Sequence, residues 1–258
     1  MQKPDCFLRT PHIPETDVSV CAVSAQAPSA ALAALEEKGI RLLRVSPSDS
    51  LLDICASHPD MRICHLGEDH IAVDPSAVKE QAFLEQAGLN VIRVRQQPKA
   101  PYPKDIALNC LFMGNCLFGK LENLCSEIKK YAADRKQTLV SVRQGYSKCA
   151  VCVLSERAAI TSDPGLFQAL SANGVEVLKI RSGSIFLKGA GEDGGMIGGC
   201  CGLIAPGCLA VCGDLRTHPD FHAMADFLRR YQIRIQMLLP GKLIDVGGIL
   251  PLLEAVEE

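Results

Sequence analysis

No apolar run in the 258 residues reaches the roughly 18 needed for a helix to cross a bilayer. Basic clusters are equally scarce. Lys and Arg number 27 against 29 Asp and Glu, a formal net charge of −2, so no electrostatic footprint for nucleic acid or an anionic membrane surface is present. Residues 1–14 are polar and proline-rich and lack the apolar core of a secretory signal. The expected address is the cytoplasm, with no nucleic-acid or membrane partner. The glycines of the 189–195 and 198–199 stretches lack the GxxxxGK[ST] order of a nucleotide cradle. They read instead as a mobile rim loop whose backbone N–H groups face a ligand.

A hydrophobic content of 48% and a charged content of 22% are ordinary for a soluble globular chain with a sizeable core. Thirteen cysteines are present, an odd number without a secretory signal, which argues against a disulfide framework. The spacing Cys149-x-x-Cys152 and the adjacent Cys200-Cys201 invite a zinc or redox reading. Alternation along a strand places neighbours on opposite faces, which suits packing better than a four-thiol cage. The thiols are therefore expected in the core, with no metal and no cofactor.

The chain repeats one pattern about five times, over residues 18–46, 58–96, 105–144, 145–183 and 194–240. Each unit is ββαβ-like: strand, turn, strand, helix, strand. In the fourth, strands at 150–154 and 158–161 flank a turn, Asp163-Pro164 starts a helix, Gly174 caps it, and 175–180 is the last strand. In the second, Asp74-Pro75 is expected to start the helix; in the fifth, His218-Pro219-Asp220. The third unit's helix is expected from about Lys120. Cys21, Cys64, Cys110, Cys152 and Cys200 or Cys201 fall at equivalent places in the first strands. The first unit lacks one strand, and the tail, 242–252, is expected to supply it and close a ring, removing exposed edges.

Five such units with a closing tail resemble the pentein fold of the guanidino-group-modifying superfamily. The motifs Gln144-Gly145-Tyr146-Ser147-Lys148-Cys149, Ile197-Gly198-Gly199, Gly213-Asp214-Leu215 with His218-Pro219, and Ile244-Asp245-Val246-Gly247-Gly248 are similar to an uncharacterised bacterial family assigned to that fold. The resemblance implies a single α/β domain over 1–258, a five-bladed α/β propeller around an axial polar pore. It also implies enzymes with a nucleophilic cysteine in the final segment. Here the last cysteine is Cys212, so that position has no match.

In such a ring the loops beside the inner strands face the pore. Candidate catalytic residues are Cys149, with Lys148 lowering its pKa, and His58 or His218 as base. Candidate ligand-binding residues are Asp60, His65, Asp105, Asn109, Arg143, Gln144, Tyr146, Asp214 and Asp245. The plain alternative for His218 and Asp220 is a helix cap, and for His58-Pro59-Asp60 a turn. Three functions stay open: binding of a small polar metabolite, such as an amino acid or guanidino compound, in the pore; a Cys149-dependent hydrolase or transferase acting on a C–N bond; and a non-catalytic ring that engages a protein or ribosome. Residues 144–149 have no counterpart in the other units, so function is expected there.

Overall fold

The computed structural model describes residues 5–256. Five small sheets carry the fold, and each has the same order: an antiparallel pair, then a third strand parallel to the middle one and reached through a helix. In the second sheet these strands are Ile63–Gly67, His70–Val73 and Asn90–Arg93, with helix Val78–Gln86 between the last two. The third has Leu111–Met113, Cys116–Gly119 and Thr138–Ser141, with helix Ser126–Asp134. The fourth has Val151–Ser155, Ala158–Thr161 and Glu176–Lys179, with helix Pro164–Ala172. The fifth has Cys201–Ala205, Cys208–Val211 and Arg234–Met237, with helix Phe221–Arg230.

The first sheet is assembled from both ends of the chain. Leu250–Ala255 lies between Asp5–Phe7 and Val18–Ser24, antiparallel to both. Arg41–Val45 then runs parallel to Val18–Ser24 after helix Ser29–Glu36. The joint is also held by polar contacts: buried Glu254 accepts from the N–H groups of Glu15 and Thr16 at 2.6 and 3.0 Å. The preceding tail does something else, since Leu243–Ile244 pairs with Ile185–Phe186 in a separate two-stranded ribbon.

Each middle strand is buried on both faces, so its apolar residues read as a continuous run. Alternation then divides them between two cores. Ile71 and Val73 pack with Val20, Leu43 and Leu252 of the first sheet, while Ala72 packs with Leu117 and Ile128 of the third. Phe118 and Leu111 meet Val151 and Ala159, whereas Ile160 and Cys152 meet Leu209, Met224 and Phe227. Ala210 and Cys208 meet Cys21, Val23 and Leu35, which links the fifth sheet to the first.

All thirteen thiols are free, and all but Cys6 are buried. Cys200 and Cys201 both donate to the Ile197 carbonyl at 3.1 Å. The expected five-fold cysteine register is corrected, however. Register shifts at matching places in the second, fourth and fifth sheets align Cys64, Cys152 and Gly202. Gly202 stands there because a Cβ would lie 1.9 Å from the Ile249 carbonyl oxygen. Cys110 precedes its strand, and Cys21 sits in a middle strand because the tail fills the outer place.

Two helix starts differ from expectation, and a third, after His218-Pro219-Asp220, falls where expected but without a side-chain cap. Asp74 does not cap a helix: its carboxylate binds buried Arg62 at 2.9 Å and Ser76, and the helix begins at Val78. Asp220 precedes its helix, but its carboxylate takes the Arg181 N–H and guanidinium at 2.6 and 2.9 Å. Lys120 opens a turn closed by the Asn123 and Leu124 N–H groups, and the helix waits until Ser126. Asp163 caps as expected, accepting from the Leu166 N–H at 2.7 Å.

Removing residues 250–258 should abolish cooperative thermal unfolding, because it opens the first sheet and exposes the core shared with the second. A truncated chain that melts as sharply as the full one would contradict this.

Candidate active site

The first strand of each sheet is entered through a loop, and the candidate residues sit on those loops. His58 and Asp60 precede Ile63–Gly67, Asp105 and Asn109 precede Leu111–Met113, and Tyr146, Lys148 and Cys149 precede Val151–Ser155. Met196 leads toward Cys201–Ala205, and Asp245 toward Leu250–Ala255. Their convergence bounds a cavity of about 190 Å³ lined by His58, Met61, Tyr146, Cys149, Met196 and Asp245, among others. A neighbouring cavity of about 180 Å³ shares His58, Asp245 and Ile54.

The polar groups form three bonded sets that meet around the cavity. The Cys149 thiol donates to Asp60 Oδ2 at 2.5 Å. Asn109 stands beside them: Nδ2 lies 3.7 Å from Cys149 Sγ, and Oδ1 accepts the Lys148 N–H at 2.9 Å. Tyr146 donates its hydroxyl to Asp105 Oδ2 at 2.8 Å. Asp245 accepts from the Met196 N–H at 2.9 Å and the Gly247 N–H at 3.0 Å, and Oδ1 lies 3.9 Å from His58 Nδ1. Close backbone approach makes this possible, since a Cβ on Gly199 would sit 2.0 Å from Asp245 Oδ1. The Lys148 ammonium is buried and reaches the Gly198 carbonyl at 3.4 Å.

Two buried carboxyl oxygens here lack a donor. Asp60, Asp105 and Asp245 are all buried, and Oδ1 of both Asp60 and Asp105 has no hydrogen-bond partner. Burial pushes the Asp60 carboxyl up to about 6, against the pull of His58, Lys148 and the Cys149 thiol. Burial, then the charges of Asp60 and Asp245, push the Cys149 thiol well above its usual range. The expected activation by Lys148 is thus corrected: it acts in the expected direction but is outweighed.

Eight expected residues meet in this cluster: His58, Asp60, Asp105, Asn109, Tyr146, Lys148, Cys149 and Asp245. The rest lie elsewhere or play other parts. Gln144 braces the loop, accepting from the Tyr146 N–H and donating to Asp163, and Arg143 is exposed. Asp214 is held by Arg216 and lines a separate cavity with Phe221 and Met237. His218 accepts the Asp220 N–H through Nδ1 at 3.0 Å, a turn role. His65 points away, with Nδ1 accepting the Gly67 N–H at 3.1 Å. Leu187, Ala190 and Gly194 of the glycine-rich loop line the cavity, as does Cys55. Cys55 was not anticipated, because an apolar wall residue carries no chemical signature.

Comparisons with known proteins agree with this geometry at the level of fold. The model of DUF6873, a family of unknown function, matches residues 22–250. No curated protein matches the chain by sequence. An inosamine-phosphate amidinotransferase from Streptomyces griseus is similar in structure over 98% of this chain and 98% of its own, with a TM-score of 0.57 and 13% identity. An amidinotransferase of the saxitoxin pathway from Microseira wollei matches over 92% of this chain and 97% of its own, with a TM-score of 0.51 and 11% identity. A dimethylarginine dimethylaminohydrolase from Pseudomonas aeruginosa, complexed with citrulline, matches over 93% of this chain and all of its own, with a TM-score of 0.50 and 8% identity. These likenesses show that the chain shares its fold with two amidinotransferases and a dimethylarginine dimethylaminohydrolase. No helix among the described residues is long and apolar enough to cross a membrane.

Burial holds His65 at about 4, below its usual 6.5. Between those values the unfolded chain binds a proton that the fold refuses, so stability falls as pH drops, by about 3 kcal/mol in all. Denaturant titrations at about pH 7 and about pH 4.5 should show His65→Gln losing about 2–3 kcal/mol less than the parent. Equal losses would contradict it.

Proposed function

Because the chain belongs to DUF6873, a family of unknown function, we read its role from the site and propose that it binds a small cationic metabolite, a guanidino compound or amine-bearing amino acid, in the cavity lined by His58, Tyr146, Cys149 and Asp245, with Asp60 bonded to Cys149 and Asp105 to Tyr146 behind that lining. Two atoms carry this: Asp60 Oδ1 and Asp105 Oδ1, buried acceptors without a donor. Leaving such an atom unpaired costs about 1–3 kcal/mol, which the N–H groups of a bound cation would recover. A guanidinium offers five donors in a plane and no acceptor, matching a site rich in carboxylates.

In this proposal the five sheets are blades around one axis, and the cavity opens at the end where their entry loops converge. The chain of shared cores, each joining one sheet to the next and the fifth to the first, supports that arrangement. Relatives in fold include two amidinotransferases and a dimethylarginine dimethylaminohydrolase with citrulline bound, and their guanidino-related names agree with the ligand class. Nucleophilic catalysis by Cys149 is not part of the proposal, because Asp60 holds the thiol proton at 2.5 Å and burial opposes the thiolate.

Titration of chelator-treated protein with agmatine and with citrulline tests this. Agmatine should raise the melting temperature saturably, and Asp60→Asn and Asp105→Asn should each weaken it about tenfold, the loss of one charge-assisted hydrogen bond. Neutral citrulline should bind more weakly. Failure of agmatine, arginine and lysine alike to stabilise the protein would sink the proposal.

A further inference from the structure

One constellation in the cavity exceeds what a metabolite site needs. His58, Cys149 and Asp245 are all buried, and one ligand atom from each lies within 4.8 Å of the other two. They arrive from three separate entry loops, so their proximity is a product of the fold rather than of sequence adjacency. By contrast, Glu68, Asp69 and His70 also cluster, but they are consecutive and only partly buried, the ordinary state of a surface turn.

Two of the three are fixed by backbone. Asp245 is held between the Met196 and Gly247 N–H groups. His58 donates its own N–H to the Cys55 carbonyl at 3.0 Å and lies against Gly247, where a Cβ would stand 2.4 Å from the His58 Cβ. Asp60 supplies an independent sign of a missing ligand. It is 1% exposed, it touches Cys149 Sγ through Oδ2, and its Oδ1 has no partner.

We propose that His58, Cys149 and Asp245 form a binding site for a borderline divalent transition metal, of which Zn²⁺ suits the set best, with its fourth position facing the cavity. One imidazole, one thiolate and one carboxylate make a mixed N, S and O donor set of the kind Zn²⁺ takes, and three protein ligands with an open position are characteristic of zinc sites that act on small molecules. Bonds of about 2.0–2.3 Å to three atoms set those atoms roughly 3.3–3.8 Å apart in a tetrahedron. His58 Nδ1 and Asp245 Oδ1 stand at 3.9 Å, and all three ligand atoms lie within 4.8 Å of one another, so a contraction of up to about 1 Å would bring them to a shared ion. On binding, the Cys149 S–H bond breaks and a sulfur–metal bond forms. One proton per ion is released to solvent, and no redox change occurs. Asp60, relieved of the thiol proton, is then placed to accept a hydrogen bond from water in the fourth position. This departs from the expectation of a metal-free site, and it does not depend on metabolite binding.

Chelator-treated protein titrated with Co²⁺ alone, under a non-thiol reductant, tests it. The expected result is saturable one-to-one binding with a thiolate-to-cobalt charge-transfer band. That band should be absent in Cys149→Ser, unchanged in Cys152→Ser, and displaced by Zn²⁺. His58→Gln and Asp245→Asn should each weaken binding at least about tenfold. A band that persists in Cys149→Ser, or no saturable binding by the parent, would overturn the site. X-ray absorption at the zinc edge of the parent protein needs no variant: one sulfur with nitrogen and oxygen neighbours supports it, and two or more sulfurs, or none, refutes it. Agmatine binding is measured without metal and can fail or succeed separately.

Discussion

The insertion of Leu250–Ala255 between Asp5–Phe7 and Val18–Ser24 is the interaction on which the rest depends. It gives the first sheet the strand that the order of its residues omits, and it places Leu250 and Leu252 in the core shared with the second sheet. The same strand fixes the segment before it. Asp245 and Gly247 lie just upstream, pressed against Gly199 and His58 in a segment held by the Phe186 and Gly199 carbonyls, so the strand that closes the first sheet continues directly from the site's last carboxylate.

Electrostatics follows from that geometry. Three buried carboxylates and a buried thiol converge, and Lys148 directs its ammonium at the Gly198 carbonyl. Asp60 responds by holding its proton more tightly, and Cys149 does the same. An arrangement that raises these pKa values costs stability without a ligand, which is the usual sign of groups retained for binding. A cationic metabolite and a divalent ion both answer the same deficit. They differ in whether Cys149 keeps its proton.

Much of the fold was legible because it rests on local signals. Alternating apolar strands, glycines with positive φ after helices (Gly39, Gly88 and Gly174), and the Asp163-Pro164 start all did what such residues do alone. Misreadings came where a distant partner outbid the local one: Asp74 goes to Arg62, Asp220 to Arg181, and Gly202 yields to the Ile249 carbonyl. In the candidate site, His58, Asp60, Asp105, Asn109, Tyr146, Cys149 and Asp245 were within reach because each precedes the first strand of a unit. Asp214 and His218 follow a middle strand instead; Asp214 lines a separate cavity and neither lines this one. The cavity's apolar wall, Ile54, Cys55 and Met196, could not be told from core by residue type.

The central claim is that buried carboxylates at the convergence of the entry loops await a cation. A crystal structure of the protein soaked with agmatine addresses it most directly. The account predicts ligand density in the cavity with a nitrogen about 3 Å from Asp60 Oδ1 or Asp105 Oδ1. A cavity that holds only water at saturating agmatine, with both oxygens satisfied by that water, would contradict it.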